Sequence, residues 1–489
     1  MRMSRRQFVA SIATASSSHL WAWSSPTPNA FGAIPSQRQL QWHRLETYAF
    51  LHFTVNTFTD KEWGYGDEDP NVFYPTEFDA DAIIHDLKAG GMKAVILTCK
   101  HHDGFCLWPT KTTEHCIRNS RWRDGKGDVV RDIADAAQRA GLQFGVYVSP
   151  WDRANPKYAT PDYPPIYREQ VRELLTNYGP IFEVWFDGAN GGDGYYGGAR
   201  EKRSIDPAHY YEWKKTFAII RQLQPNAVIF CPGADIRWVG NEKGIAGDPC
   251  WATYGLPGQK AQDEHASDGG SKEELMTGIR FGPVWRPAEC DVSIRPGWFW
   301  HEKENANVKT PEQLINLYFD SVGRGASFLL NVPPNRKGLL EDSDAASLAE
   351  FHRKLQQMFA KDLALTAKLQ PSNVRGRDPL FGAQNLVDGD RATYWATDDS
   401  ETSPQLIIDF GSEQQIAIIH LREAIELGQR IGAFALDSLH ANAWEEIATG
   451  TSIGSCRLIR LSHPVSTQKL RLRITNSSAC IALSELGIF

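Results

Sequence analysis

The sequence predicts an α/β fold, a (β/α)8-like barrel followed by an all-β sandwich domain, and three observations carry that expectation. Between about residue 45 and residue 360, short apolar runs alternate with amphipathic stretches that stop at glycine, the pattern of parallel strands joined by crossover helices. The apolar runs end in polar or aromatic residues, His52, His101-His102, Tyr147 and Asp187 among them, and in a parallel barrel the strand C-termini build the active face. After about residue 370 the helical period vanishes and short alternating strands take over (QLIIDFG, AIIHLRE, QKLRLRIT), the texture of a β-sandwich.

The first 33 residues stand apart. Arg5 and Arg6 lie between Ser4 and Phe8, a weakly apolar Ala/Ser/Thr stretch follows, and small residues cluster near Gly32. This is the layout of a twin-arginine export leader, and it sets expected boundaries of 1–33 for the leader, 34–365 for the barrel and 366–489 for the sandwich. A periplasmic or secreted bacterial location follows as an expectation. No apolar run is long enough to span a bilayer.

The 489 residues exceed one ordinary core. A net charge of −7 with no basic stripe argues against nucleic acid as a partner. The 16 tryptophans, several in polar contexts, suit flat apolar ligands such as sugars. None of the eight cysteines forms a CxxC pair; most read as buried thiols, with room for one or two bridges.

Taken in order, ETYAFLHFT reads as a first strand ending near His52. A polar, aromatic loop carrying Glu62 and Trp63 follows, then a helix from Asp79 stopped by Gly90-Gly91. Next come a strand from Met92 into His101-His102-Asp103-Gly104, helix 128–140, strand 142–149 with Tyr147 and Ser149, and helix 164–178. The run IFEVWFDGA then delivers Asp187 at a strand end, straight into a glycine that lets the backbone turn. Helix 207–223 and strand 226–233 continue the alternation, which loosens between 235 and 300. Helix 311–322, strand ASFLLNVPPN and helix 343–360 close the unit. A doubly wound open sheet is the alternative, but no dinucleotide glycine fingerprint follows the first strand.

A carboxylate between aromatic residues is what a sugar-cleaving site needs, and an Asp capping its own loop fits the spacing of Asp187 equally well. Tyr147 could pack in the core. His101 and His102 are adjacent, so they point to opposite faces, and a single metal held by both is not expected.

Taken together, His52-Phe53, Glu62-Trp63-Gly64, Lys100 to Phe105 (KHHDGF), Val146 to Ser149 (VYVS), Trp185 to Ala189 (WFDGA) and Pro287 to Trp298 resemble the glycoside hydrolase family 29 α-L-fucosidases over roughly residues 35–360. The resemblance implies a retaining exo-glycosidase that removes terminal α-L-fucose from oligosaccharides or glycoconjugates, without cofactor or metal. It makes Asp187 the nucleophile and places His52, His101, His102, Tyr147 and Trp63 around the sugar, with Arg237 lining the pocket. Glu62, Trp185 and Trp298 complete the expected substrate-binding set. The AECDVSIRPGWFW segment is similar to the branch that prefers α-1,3- and α-1,4-linked fucose. Glu289, near Trp285, Trp298 and Asp291, is the expected proton donor, with Glu62 and Asp291 as competitors. Val387 to Asp390 with Tyr394-Trp395 resembles a discoidin-type (F5/8 C-like) module. A catalytically silent glycan-binding protein, or a retaining glycosidase for another sugar, is the alternative reading.

Overall fold

The computed structural model describes residues 25–255 and 270–489. Eight strands form one parallel sheet: β1 (Thr47–Leu51), β2 (Ala94–Lys100), β3 (Gln143–Val148), β4 (Glu183–Trp185), β5 (Val228–Phe230), β6 (Arg237–Trp238), β7 (Ala288–Ser293) and β8 (Ser327–Asn331). Their order is β5-β4-β3-β2-β1-β8-β7-β6, and a parallel bridge from Phe230 to Ile236 joins the two edges. The sheet is therefore a nearly closed barrel and not an open doubly wound sheet. The loosened stretch of sequence corresponds to β5 and β6, which follow one another with no helix between them, and to the short helix Lys272–Thr277.

The helices follow local signals. Asp79 caps helix Ala80–Ala89 by accepting from the Ala82 N–H. Asp128 does the same for helix Val129–Ala140 at Arg131, and Gly141 ends that helix at φ 77°. The helix expected from residue 207 begins only at Trp213. Helix Gln37–His43 plugs the N-terminal mouth of the barrel, with Trp42 in the interior cluster of Tyr48, Phe50, Tyr147, Trp185 and Phe230.

Inward-facing side chains alternate with outward ones along each strand and stack in layers. Tyr48, Glu183, Glu289 and Ser327 lie lowest; Phe50, Tyr147, Trp185, Phe230 and Asp291 come next; His52, Asp187 and Asn331 lie at the top. The register Glu289↔Ser327 and Asp291↔Leu329 on one side, and Tyr147↔Trp185 and Trp185↔Phe230 on the other, places them so.

The second unit is an antiparallel sandwich of β9 (Lys368–Pro371), β10 (Trp395–Ala396), β11 (Gln405–Glu423), β12 (Ile431–His440), β13 (Ala443–Gly450), β14 (Arg457–Ser477) and β15 (Ala482–Ile488). Its core joins Trp395, Leu406, Ile408, Leu470 and Leu472, and Leu363 and Ala364 already belong to it. The two units are tightly joined. Glu46 accepts from Arg422 at 2.6 Å and from Arg391 at 2.9 Å, Arg457 pairs with Asp248 at 2.8 Å, and Cys456 and Leu458 pack in the main barrel cluster.

Residues 25–33, expected within the leader, are packed against the sandwich. The Ser25 N–H donates to Asp378 at 3.0 Å, the Phe31 N–H donates to the Leu427 carbonyl at 2.9 Å, and Pro28 is buried. The twin arginine lies outside the described residues. Seven of the eight cysteines are buried free thiols, and Cys231 is half-buried. Among the described residues no helix is long and apolar enough to cross a membrane.

Candidate active site

A cavity of about 400 Å³ opens at the C-terminal ends of the barrel strands. Asp187 sits on its wall just past β4. Tyr147, one layer below on β3, donates its phenolic hydrogen to Asp187 Oδ2 at 2.9 Å. The Ala189 N–H donates to Oδ1 at 2.7 Å, the sharp turn after Gly188 folding the backbone back on the carboxylate. His102 Nε2 stands 3.8 Å from Oδ2, beyond hydrogen-bonding distance, so Tyr147 and Ala189 orient the carboxylate and His102 faces it across the cavity.

His52, His101 and His102 line the cavity. Burial holds the His52 imidazole down to about 4 and drives His101 and His102 below the usual histidine range. All three are neutral at neutral pH, so each ring offers one donor and one acceptor. Asn331 contacts His52 Nδ1 at 2.8 Å and Ser149 contacts His102 Nδ1 at 2.7 Å. These contacts fix the rings and leave their Nε2 atoms for a ligand. That is chemistry suited to neutral hydroxyl groups.

Aromatic surface completes the wall. Trp185 is held between Phe230, stacked at 4.2 Å, and Tyr147 at 5.2 Å. Trp298 packs on His52 at 5.1 Å. Trp63 stands at the rim, 52% exposed, edge-on to His102 and Trp151. Its loop is pinned from below: Glu68 accepts from the Tyr65 and Gly66 N–H groups at 2.7 and 2.8 Å, and Arg153 donates to the Gly64 carbonyl at 2.6 Å.

Two expected residues, Glu289 and Arg237, are placed differently, and a third, Glu62, is held by its neighbours. Glu289 does not reach the cavity. It is fully buried one layer below, where Oε1 accepts from Trp185 Nε1 at 2.7 Å and Oε2 from the Tyr48 hydroxyl. Period-two alternation gives Glu289 and Asp291 the same face, yet two residues of strand separate them by about 6–7 Å in depth. Arg237 is also buried and turned outward, donating to the Leu275 carbonyl at 2.9 Å; its neighbour Trp238 takes the inward position and lines the cavity. Glu62 does line the cavity, but its oxygens are engaged by His301 Nε2 at 2.7 Å and by the Trp298 and Phe299 N–H groups at 2.8 and 3.2 Å. It shapes the 297–301 loop.

Asp291 and Glu242 are the further carboxyl groups on the wall. Asp291 is nearly buried and accepts from Trp238 Nε1 at 2.9 Å; burial and the nearby Glu289 raise it well above the carboxylate range. Glu242, just past β6, is solvent-exposed at the mouth and accepts from Trp298 Nε1 at 3.3 Å. The strand-end rule that singled out Asp187 applies to Glu242 as well, but its two-residue strand leaves no apolar run to mark it.

A parallel barrel that gathers an oriented carboxylate, neutral imidazoles and an aromatic wall at its strand C-termini has the layout of a glycoside hydrolase. Comparison with known proteins agrees. The Alpha-L-fucosidase family pattern matches residues 21–357 and the F5/8 type C domain pattern residues 369–486. Alpha-L-fucosidase 1 of Arabidopsis thaliana is 41% identical over 470 residues, 95% of this chain and 89% of that protein. A fucosidase of the same glycoside hydrolase family from Ruminococcus gnavus, solved in complex with fucose, superposes with a TM-score of 0.85 at 32% identity, covering 95% of this chain and 96% of that one. A glycoside hydrolase 29 family member from an unknown rumen bacterium gives 0.82 at 39% identity, covering 94% and 78%. The chain belongs to the alpha-L-fucosidase family of glycosidases, with an F5/8 type C domain at its C-terminal end.

Proposed function

We propose that this protein is a retaining α-L-fucosidase that releases terminal α-1,3- or α-1,4-linked fucose from branched oligosaccharides or glycoconjugates after twin-arginine export to the periplasm or beyond. The observation that carries the reading is Asp187, held by Tyr147 and Ala189 on the wall of a cavity sized for one sugar ring. Support comes from the fucose-bound relative and from the Arabidopsis protein's likeness over nearly the whole chain.

In this mechanism Asp187 attacks the anomeric carbon. The bond to the leaving oxygen breaks as that oxygen takes a proton, and water then attacks the fucosyl-enzyme with its proton returning to the same acid/base. We assign that acid/base to Glu242. The glycosidic oxygen lies between the buried sugar and the solvent-side remainder of the substrate, and Glu242 is the wall carboxyl at the mouth. Asp291 sits deeper, and Glu289 is sealed beneath Trp185. The neutral histidines hold fucose hydroxyls, Trp185 and Trp298 face its apolar side, and Trp63 meets the residue beyond the scissile bond.

The test is a hydrolysis screen on fucosylated oligosaccharides that differ only in linkage, with free fucose measured. Release from α-1,3 and α-1,4 linkages, with α-1,2-linked fucose left in place, is expected. Release from the α-1,2 linkage alone would refute the linkage assignment, and no release from any would refute the activity.

A further inference from the structure

Two carboxyl groups lie in the barrel interior directly below the cavity, and the reaction as described uses neither. Glu183 and Glu289 are both fully buried and within hydrogen-bonding reach of each other. Among the described residues neither has a salt-bridge partner. Glu289 receives Trp185 Nε1 and the Tyr48 hydroxyl, one on each oxygen. Glu183 receives Trp42 Nε1 at 3.1 Å on Oε2, and no donor reaches its Oε1.

Two touching carboxylates in a low-dielectric interior with no cation cannot both be ionised. The donor pattern says where the single proton belongs. Glu289 has a full set of donors and suits the anion. Glu183, with one oxygen bare, suits the acid that donates to Glu289. Burial and the neighbouring Glu289 raise Glu183 well above its ordinary range; burial raises Glu289 to about 7, while contacts from Tyr48, Trp185 and Glu183 pull it down, as suits the member that carries the charge. The other titratable groups facing the pair are Tyr48, whose own proton burial secures, Asp291 above, and Asp235, which is paired with Arg38 at 2.9 Å and Arg221 at 2.6 Å.

We propose that Glu183 and Glu289 hold one proton between them, and that this acid pair positions Trp185. The indole N–H is drawn down onto Glu289, which sets the ring between Phe230 and Tyr147, and the Tyr147 hydroxyl in turn orients Asp187. Glu183 and Glu289 are positioning residues that act from beneath the site. The catalytic part of this inference rests on the fucosidase reading; the shared proton does not.

The experiment compares full-length wild type with Glu183→Gln and Glu183→Leu. A glutamine amide can donate to Glu289 where the acid did, whereas leucine cannot. The infrared carbonyl band of protonated carboxyl groups at neutral pH should lose the intensity of one group in Glu183→Gln. The proton uptake linked to folding between pH 5 and 7 should fall by about one. On an activated aryl fucoside, Glu183→Leu should lower kcat about tenfold or more with a smaller change in KM, unrelieved by azide, and Glu183→Gln should restore most of that loss. An unchanged infrared band, or a Glu183→Gln protein that fails to fold or is as impaired as Glu183→Leu, would overturn the proposal. If wild type does not cleave fucosides at all, the activity reading falls while the infrared and proton-uptake measurements still decide the shared proton.

Discussion

Tyr147 on β3 lies level with Trp185, two residues before Asp187, and its 2.9 Å hydrogen bond reaches up to Asp187 and ties the candidate nucleophile to the barrel core. The phenol is fully buried, and burial beside Asp187 raises its own pKa well above the usual range. It remains a donor throughout the working pH range.

Replacing Tyr147 by Phe removes that donor and little volume. A hydrogen bond to a charged group contributes about 1.5–3 kcal/mol, so kcat/KM on any fucoside should fall about 10- to 100-fold. Removing the nucleophile itself, Asp187→Gly, should abolish turnover by several orders of magnitude. Added azide should then convert an activated α-fucoside into the β-fucosyl azide. Steady-state kinetics and NMR of the product check both outcomes.

Glu242→Ala should separate substrates by leaving group. Loss of the acid/base is expected to cost about 10²–10⁴-fold on a natural glycan and far less on an activated aryl fucoside, whose departure needs no proton. Azide should accelerate the latter and yield the α-fucosyl azide, since it attacks the fucosyl-enzyme without base help. Leaving-group dependence and azide rescue in Asp291→Asn, but not in Glu242→Ala, would move the role to Asp291.

Asp103, in the HHDGF turn, couples stability to pH. Burial and the nearby Glu68 carry its carboxyl from 3.8 to about 7, against hydrogen bonds from the Phe105 N–H at 2.7 Å and the Thr54 hydroxyl at 3.1 Å. The folded state therefore keeps a proton that the unfolded chain releases. The stabilisation is fully present below about pH 4 and is lost as pH rises through 7. Asp103→Asn should flatten that decline, by up to about 4 kcal/mol between pH 4 and 7 if the whole shift is expressed. Urea unfolding of both proteins across that range measures it. His52, depressed from 6.5 to about 4, acts with the opposite sign: its contribution is present above pH 6.5 and disappears as pH falls through 4.

The sandwich should prove necessary for a stable barrel. Arg422 is nearly buried between Glu46 of the barrel and Glu485 of the sandwich, at 2.6 Å from each. Removing one partner of a buried pair costs about 3–5 kcal/mol, so Arg422→Ala should lower the unfolding free energy by about that much. A chain ending at residue 365 should aggregate, because the barrel surface beneath Cys456 and Leu458 would face water. Calorimetry of the point variant and light scattering of the truncation check these outcomes.

Much of the barrel and half of its site are legible in the sequence, and the reason is local. Strand period, helix caps and glycine stops are properties of neighbouring residues, so the barrel strands with clear apolar runs and the helices between them follow from pattern alone. A polar or aromatic residue at the end of an apolar run lies at the active face by topology, which is why His52, His101, His102, Trp185 and Asp187 are legible in the sequence. Depth and rotation are not local. Glu289 and Asp291 share a face by alternation, and only the register of β7 against β8 decides that one is sealed under Trp185 while the other meets the cavity. Arg237 and Trp238 form a two-residue strand too short to reveal its inward side until it pairs with β7. Glu242 lies four residues past that strand and joins the wall beside Trp298, 56 residues further along the chain. The attachment of residues 25–33 to the sandwich depends on contacts with Asp378 and Leu427, hundreds of residues away. Sequence periodicity determines which residues face inward; the long-range pairing of strands and domains determines which of them share a cavity, because burial and hydrogen bonding there are set by neighbours distant along the chain.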